Sequence, residues 1–428
     1  MELLRFATAG SVDDGKSTLI GRLLHDTKAL FDDVIDAVAA TTARRGGEGL
    51  DLALVTDGLR AEREQGITID VAYRYFATPL RSFIIADTPG HVQYTRNMVT
   101  GASTSDVAVI LVDARYGLRE QSHRHAALSA LLGIDHLVLA VNKMDLVDWS
   151  QDRFHEISSE FELLADKLGV ATVVPIPLCA LDGGNVVDRS ASTPWYSGPT
   201  LLDHLETLPV PEHSHERLRL PVQIVIKPGL GSGAGVTAER RWYAGSLASG
   251  APIVGDEIVV LPSGTRSRIS AVEGTAPAVR IQLEDELDVS RGDVIAAAEQ
   301  PPVAGAHLTA RVAWMNDKPL RSGNHVLIKH ATRTVKAVAT VLHDKLDVTT
   351  LDADPHVTEL ALNEIGTVTF VTSLPLPVDP YRVNRTMGSF IVIDEVTNAT
   401  VGAGMIGAGM IGAGMIGSGM IGAGAPTP

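Results

Sequence analysis

A chain of 428 residues with 45% hydrophobic residues is long enough to bury more than one core, which excludes a single small domain. The formal net charge of -15 argues against broad electrostatic binding of nucleic acid, because such binding relies on Lys and Arg to neutralise phosphates. A single cysteine, Cys179, excludes an internal disulfide and is typical of a reducing compartment, so we expect a cytoplasmic protein.

The N-terminal half is predicted to be an α/β domain. The opening "MELLRFATAG" has no secretory signature, and no stretch of about 20 apolar residues predicts a membrane span. Up to about residue 210, short apolar runs alternate with amphipathic stretches, which is typical of strands joined by helices. The runs "RSFIIAD", "DVAVILVDA" and "HLVLAVNK" are nearly continuous in apolar residues, as parallel strands covered on both faces are. We predict this domain over residues 1–213.

The C-terminal half is predicted to be all β. Short β-branched runs punctuated by glycine, such as "APIVGDEIVVLPSG" and "ELDVSRGDVIAA", indicate antiparallel strands, and no helix is predicted from about residue 216 to 398. We predict two antiparallel β-barrel domains, over 214–302 and 303–398, with the boundary at "EQPPVAGA".

The last segment repeats the unit "GAGMI" from Gly402 onward. A period of five matches neither a helix face nor the alternation of a strand, and dense glycine makes ordering entropically unfavourable. We therefore predict a flexible low-complexity tail over 399–428, with a linker carrying weakly hydrophobic Met-Ile pairs as the alternative.

The stretch "GSVDDGKST" fits the phosphate-binding pattern G-x-x-x-x-G-K-[ST], between the strand-like "LLRFATA" and the helix-like "STLIGRLLH". Its glycines would let backbone N–H groups point toward phosphate oxygens, Lys16 would supply positive charge, and the Ser17 hydroxyl would bind Mg²⁺. The motif alone does not distinguish ATP from GTP. The predicted phosphate-loop ligands are Gly10, Ser11, Val12, Asp13, Asp14, Gly15, Lys16, Ser17 and Thr18.

A second motif, "DTPGH", follows a predicted buried strand. Asp87 can reach the metal ion through water, and the Gly90 N–H can sense the γ-phosphate. An ordinary turn is the alternative for this stretch alone. The predicted ligands here are Asp87, Thr88, Pro89, Gly90 and His91.

Two further motifs select guanine. In "NKMD", Asp145 can accept hydrogen bonds from guanine N1–H and N2–H₂, Asn142 would tie the base to the phosphate loop, and the Lys143 stem would lie along the base. In "CAL", the backbone N–H of Ala180 would meet guanine O6. Four motifs in this order predict a GTP-binding protein. The predicted base-side ligands are Asn142, Lys143, Met144, Asp145, Cys179, Ala180 and Leu181.

Over almost its whole length the chain resembles the translational class of GTPases, which includes elongation factor Tu and has a GTPase domain followed by two β-barrels. "REQGITID" looks like the first switch of that family. The resemblance implies that Thr68 binds Mg²⁺ and the γ-phosphate, and that His91 orients the attacking water behind the apolar pair Val12 and Ile67. It also implies a monovalent cation near Asp13. The expected catalytic residues are His91, Lys16 and Thr68, and the expected metal ligands are Ser17, Thr68 and Asp87.

Within that class, "GSVDDGKSTLIGRLL", "STPWYSGPTLLDHLETL", "AGSLASG" and "DEVTNATVGAGMI" resemble the GTPase subunits of bacterial sulfate adenylyltransferases. Asp14 stands where translation factors typically carry histidine. The resemblance implies GTP hydrolysis here, while a separate small catalytic adenylyltransferase subunit binds ATP and sulfate and forms adenosine 5'-phosphosulfate and pyrophosphate, in sulfate assimilation toward cysteine. No second phosphate-binding motif is present to bind ATP, since "GLGSGAG" lacks a following Lys-Ser.

Some expectations concern what the chain does not do. We expect no nucleic-acid or membrane partner, and no adenylylsulfate kinase activity, because the repeat and "APTP" stand where a kinase follows in some relatives. Cys179 stands where relatives commonly carry serine and is expected to be buried rather than reactive. The alternative from another class is a translation factor that delivers aminoacyl-tRNA, which would use the same catalytic residues.

Overall fold

The computed structural model describes residues 2–44, 50–55, 70–90, 95–209, 217–227 and 240–412. The chain divides into two compact units, one built on Met1–Glu212 with the short pieces Lys345–Asp354 and Leu362–Glu364, the other on the remaining C-terminal residues. Among the residues that the structure describes, no helix is long and apolar enough to cross a membrane.

The first unit contains a mostly parallel sheet with flanking helices. Its described strands are β1 (Leu3–Gly10), β2 (Ala72–Ala77), β3 (Ser82–Asp87), β4 (Val107–Asp113), β5 (His136–Asn142) and β6 (Thr172–Pro177). The spatial order is β2-β3-β1-β4-β5-β6. β2 is antiparallel to β3, whereas the neighbours from β3 to β6 are parallel. The three apolar runs predicted as strands are confirmed as β3, β4 and β5.

The described helices of this unit are α1 (Lys16–Asp26), α2 (Asp32–Arg44), α3 (Thr95–Ala102), α4 (Glu120–Leu131), α5 (Gln151–Lys167) and α6 (Leu201–Thr207), with 3-10 turns at Leu52–Val55 and Met144–Val147. Burial accounts for the sequence pattern, since every residue of β4 is buried. Parallel strands end at one edge of a sheet, so the loops after β1, β3, β4 and β5 meet there. All the predicted motif loops described in this unit follow those strands or β6.

The second unit begins with a closed six-stranded antiparallel barrel. Its strands are β7 (Arg219–Ile226), β8 (Trp242–Ser246), β9 (Glu257–Leu261), β10 (Thr265–Thr275), β11 (Ala278–Leu283) and β12 (Val294–Ala297). The order around the barrel is β10-β11-β8-β7-β12-β9. Its interior is apolar, with Leu220, Ile258, Ile281 and Ile295 fully buried.

A second barrel follows. Its strands and those attached to it are β13 (Val303–Trp314), β14 (Leu320–Arg321), β15 (His325–His330), β16 (Arg333–Leu346), β17 (Ala353–Asp354), β18 (Glu359–Leu360), β19 (Ile365–Val378), β20 (Ser389–Ile393) and β21 (Thr400–Gly412). The sheet order is β15-β20-β21-β13-β19-β16-β17, and pairing of β15 with β16 closes it. Residues 217–227 and 240–398 contain strands and turns without a helix, so the expected fold class, a GTPase-type α/β domain followed by two antiparallel barrels, is confirmed.

The expectation of a flexible tail from residue 399 is wrong for Thr400–Gly412, which form β21 between β13 and β20. Met405 and Ile406 are buried there. β21 contains a bulge opposite β13. Ala310 pairs with Ile406 and Leu308 pairs with Ile411, so a step of two residues along β13 corresponds to a step of five residues, one repeat unit, along β21. The glycines serve packing: a side chain at Gly404 would overlap the Phe390 ring. The predicted tail beyond residue 412 lies outside the described residues.

Candidate nucleotide-binding site

The phosphate loop joins the end of β1 to the start of α1 and contains two residues in the left-handed region, Asp13 with φ 67° and Gly15 with φ 95°. Gly15 needs its glycine for a second reason, because a side chain there would overlap the Asn142 amide nitrogen. Positive φ and close approach together restrict this position to glycine. Backbone N–H groups of such a loop, at the N-terminus of a helix, favour a bound phosphate.

Lys16 and Asp14 lie inside this loop. The Lys16 ammonium donates to the carbonyl oxygens of Gly10 at 2.8 Å and Ser11 at 2.9 Å. The Asp14 carboxylate accepts a hydrogen bond from the Ser11 N–H at 2.6 Å. Asp14 therefore stabilises the loop conformation by a bond between two of the loop's own residues. Burial lowers the pKa of Lys16, although the carboxylates of Asp87 and Asp14 oppose this, and burial raises the pKa of Asp14.

The loop after β3 lies against the phosphate loop. A side chain at Gly90 would overlap the Lys16 ammonium, so the Gly90 backbone runs beside the phosphate-binding lysine. Asp87 is buried at the end of β3, and its negative charge acts on Lys16. The buried Thr88 hydroxyl donates to Thr8 O at 2.6 Å and fixes this loop to β1, and Pro89 is also buried.

Asn142 connects the phosphate loop with the "CAL" loop. Its amide Nδ2 donates to Asp14 O at 2.7 Å, and its Oδ1 accepts from the Ala180 N–H at 2.9 Å. The side chain is buried, so both hydrogen bonds are shielded from water. The sequence reasoning assigned the Ala180 N–H to guanine O6, whereas here that N–H donates to Asn142.

Lys143 is held by a carboxylate that the sequence reasoning missed. Lys143 adopts φ 61°, and its ammonium lies 3.0 Å from Asp113 Oδ2 and donates to Asp13 O. Asp113 ends β4 and also accepts from the Arg115 guanidinium at 3.0 and 2.7 Å. Burial opposes ionisation of Asp113, but hydrogen bonds from Arg115 and Lys143 outweigh it and lower its pKa to about 2. The sequence signal that could have identified Asp113 was its position at the end of a predicted buried strand.

The base side of the site combines an accessible carboxylate with a buried loop. Asp145 is half-buried, whereas Cys179 is buried. Cys179 is buried, as expected, and this burial raises its pKa to about 12, which disfavours the reactive thiolate. Leu181 is exposed, whereas the Met144 side chain is fully buried and belongs to the core.

Arg22 is a second residue that the sequence reasoning missed. It lies on α1, and its guanidinium donates to Ala180 O at 3.3 Å and to Leu181 O. Asp26, one turn further along the helix, pairs with it at 3.4 Å. The helix that begins at the phosphate loop therefore also supports the "CAL" loop. An arginine on a helix carries no sequence signal for a partner 158 positions away.

Some predicted residues have no described geometry. His91, Thr68 and Ile67 lie outside the described residues, so their roles stay predictions. Val12, Ser17 and Thr18 are half-buried, the last two in the first turn of α1. The Ser17 hydroxyl and the Asp87 carboxylate are hard oxygen donors, which is the donor chemistry that Mg²⁺ prefers. These two residues fit the metal that the motif implies.

A P-loop at the N-terminus of α1, joined through Asn142 to base-side loops at the same sheet edge, defines a P-loop GTPase of the elongation-factor type. The family model "Elongation factor Tu GTP binding domain" matches residues 1–211, and the model "GTP-eEF1A C-terminal domain-like" matches residues 307–407. The chain belongs to the family of sulfate adenylyltransferase subunit 1, as three curated relatives illustrate.

"Sulfate adenylyltransferase subunit 1" of Colwellia psychrerythraea is 49% identical over 94% of this chain and 87% of that protein. The protein of the same name from Bacteroides fragilis is 48% identical over 94% of this chain and 86% of its own length. "Bifunctional enzyme CysN/CysC" of Mycobacterium tuberculosis (strain CDC 1551 / Oshkosh) is 54% identical over 94% of this chain and 67% of that protein. Among solved structures, Sup35 complexed with GDP is 23% identical, covering 95% of this chain and 94% of that chain with a TM-score of 0.41.

Proposed function

We propose that this chain is the GTP-hydrolysing subunit of a cytoplasmic sulfate adenylyltransferase. The observation that carries the proposal is the buried Asn142 amide, which joins the P-loop at Asp14 to the "CAL" loop at Ala180. This tie supports the proposal because it joins the predicted phosphate loop to the predicted guanine loop at one sheet edge. Sequence identity of 47% to 49% with relatives named "Sulfate adenylyltransferase subunit 1" supports the reaction class.

The proposed chemistry is in-line attack of water on the γ-phosphate of GTP. A new P–O bond forms to the water oxygen while the bond to the β–γ bridging oxygen breaks, and GDP and inorganic phosphate leave. Lys16 stabilises the negative charge, and His91 positions the water. Catalysis of this kind is mostly positioning and electrostatics. Bound Mg²⁺, held by Ser17, Thr68 and Asp87, would neutralise charge on the phosphates.

A separate small subunit is proposed to bind ATP and sulfate and to form adenosine 5'-phosphosulfate and pyrophosphate. The mixed phosphate–sulfate anhydride is an unfavourable product, so coupling to GTP hydrolysis draws its formation forward. We assign no arginine of this chain to the transition state. The isolated chain should therefore hydrolyse GTP slowly and respond to the partner subunit and its substrates.

A monovalent cation beside the exposed Asp13 carboxyl is a further part of the proposal. Replacing K⁺ by a bulky organic cation at constant ionic strength should slow GTP hydrolysis. An unchanged rate would remove this cation from the proposal and leave the GTP site itself unaffected.

The test is GTP hydrolysis by this chain with and without the small adenylyltransferase subunit, while phosphosulfate is measured in the same tube. We expect faster hydrolysis in the complex together with GTP-dependent product. Asp145→Asn is the matched variant, since an amide can donate to the xanthine O2 where the carboxylate accepts from guanine N2–H₂. The variant complex should therefore respond to xanthosine triphosphate instead of GTP.

The reversed nucleotide preference would locate the coupling at the site of this chain. If both proteins fold and bind nucleotide but hydrolysis is not stimulated and no phosphosulfate forms, the sulfate adenylyltransferase assignment is wrong. Stimulation by ribosomes in that case would favour the translation-factor alternative.

A further inference from the structure

The buried carboxylate of Asp113 takes no part in the proposed chemistry, yet it lies at the same sheet edge as the GTP site. We propose that Asp113, supported by Arg115, is a positioning residue that holds the Lys143 side chain in place for the guanine base. The inference rests on the proposed GTP-binding function. Its central observation is the distance of 3.0 Å between Lys143 Nζ and Asp113 Oδ2.

Two properties of Lys143 call for a fixed partner: its left-handed backbone conformation and the rotamer freedom of its long side chain. Its φ of 61° lies in the left-handed region, which non-glycine residues occupy only when their surroundings hold them there. A free lysine side chain samples many rotamers, and ordering them on binding would weaken affinity. Fixing the ammonium at Asp113 restricts the aliphatic stem before the base arrives.

Asp113 is suited to be that anchor. Its side chain is 3% exposed, compared with 25% for Lys143 and 39% for Arg115. Three hydrogen bonds from Arg115, one from the backbone N–H and two from the guanidinium, fix the orientation of the carboxylate. The carboxylate is therefore a buried, well-oriented partner for the Lys143 ammonium.

The same ammonium also reaches the phosphate loop. Lys143 Nζ donates to Asp13 O, and Asp13 has a left-handed backbone as well, with φ 67°. The ends of β4 and β5 and the phosphate loop therefore converge on one ammonium group. Loss of the Asp113 charge should loosen Lys143 at the base and at this carbonyl together, so both GTP and GDP should bind more weakly.

The experiment is a double-mutant cycle between Asp113→Asn and Lys143→Met, using the full chain and fluorescent N-methylanthraniloyl-GDP as the probe. Asparagine keeps the shape of the aspartate, and methionine keeps an apolar stem. We expect Asp113→Asn to weaken probe binding about tenfold. We expect the double variant to bind as Lys143→Met alone does, because the carboxylate acts through the ammonium. At saturating GTP, the turnover of Asp113→Asn should match that of the unchanged protein while its KM rises.

Asp106→Asn is the matched control. Asp106 lies just before the other end of β4, and its carboxylate accepts from the Arg5 N–H at 2.9 Å. This substitution removes the same charge far from the nucleotide loops, so probe affinity should not change. If Asp113→Asn does not fold, Arg115→Gln replaces it in the cycle, with the same expected loss of effect in the Lys143→Met background.

Additive effects of the two substitutions would overturn the inference, because Asp113 would then act on the fold rather than through Lys143. An unchanged probe affinity for Asp113→Asn would overturn it as well. Failure of the unchanged protein to bind the probe would instead refute the proposed GTP site, and the inference with it. The two failures are therefore distinguishable.

Discussion

Replacing Asn142 by alanine should weaken nucleotide binding strongly. The substitution removes two buried hydrogen bonds and leaves Asp14 O and the Ala180 N–H without their partner. Each buried polar group left unsatisfied costs about 1–3 kcal/mol, so the two together cost about 3 kcal/mol after partial relaxation. Because 1.4 kcal/mol corresponds to a factor of ten, this amounts to about 100-fold in an equilibrium constant.

The lost free energy should appear partly in the stability of the fold and partly in the affinity for GDP. The hydrogen bonds hold the two loops together in the folded chain, so part of the loss should appear as a lower free energy of unfolding in urea. The remainder should appear as a weaker GDP affinity in calorimetry, because the loops are no longer preorganised. Asn142→Asp should not restore the affinity, because it keeps an acceptor for Ala180 but places a buried carboxylate oxygen against the Asp14 carbonyl oxygen.

Asn384→Ala is the control for loss of a well-bonded buried amide. Asn384 lies in the second unit, where it donates to Ser249 Oγ at 3.0 Å and accepts from the Met387 N–H at 3.0 Å. Its replacement should lower stability without changing GDP affinity. If Asn142→Ala behaves in the same way, with GDP affinity intact, Asn142 does not organise the nucleotide site and our reasoning about it is refuted.

Three further predictions concern packing, reactivity and pH. Gly404→Ala should lower the stability of the last barrel by about 1–3 kcal/mol, because the added methyl group would overlap the Phe390 ring. Thermal unfolding measures this loss, and an unchanged melting temperature would contradict the packing role of the glycine. Cys179 should resist Ellman's reagent at about pH 8 until the protein unfolds, since burial raises its pKa to about 12; rapid labelling of the native protein would be the opposite result. Burial lowers the pKa of His125 to about 3, below the unfolded value of 6.5, so stability should be lost as pH falls from about 6.5 toward about 3. His125→Gln should show a smaller loss between those pH values in urea unfolding, and an identical pH dependence would exclude His125 as a source.

The central strands of the first unit were predictable because they are buried on both faces. The inner run "VAVILV" of "DVAVILVDA" has no polar residue to place in solvent, and β4 is indeed buried along its whole length. The motifs were placed correctly at the ends of such strands, since their glycines and polar residues interrupt the apolar pattern. Strand ends and loops are therefore readable from local composition.

The hydrogen bonds between those loops were harder to predict. Arg22 on α1 contacts Ala180, and Asp113 contacts Lys143, although neither pair is close in sequence. Such pairings depend on the folded sheet edge and leave no periodic or spacing signal. The hydrogen bond from the Ala180 N–H to Asn142 was missed for the same reason, because the sequence analysis assigned that N–H to guanine O6.

The glycine repeat shows how composition can indicate the wrong property. Dense glycine predicts a high entropy cost for ordering, and that reasoning led to the flexible tail. In β21 the missing side chains allow the Trp314 and Phe390 rings to lie close to the backbone at Gly402 and Gly404. Apolar burial by those rings, by Met405 and by neighbouring strands offsets the entropy.

The placement of Asn142 and Lys143 next to each other at the end of β5 has a mechanical consequence. Asn142 contacts the phosphate loop and the "CAL" loop, while Lys143 contacts the phosphate loop and the end of β4. Two adjacent residues thus connect the base side to the phosphate side through separate hydrogen bonds. A base that shifts this dipeptide must also shift the phosphate loop, so guanine recognition and phosphate binding should respond together to a substitution at either residue. Nucleotide analogues that lack the γ-phosphate should then retain most of their base selectivity, because the coupling runs through the loop backbone at Asp13 and Asp14 and not through the terminal phosphate.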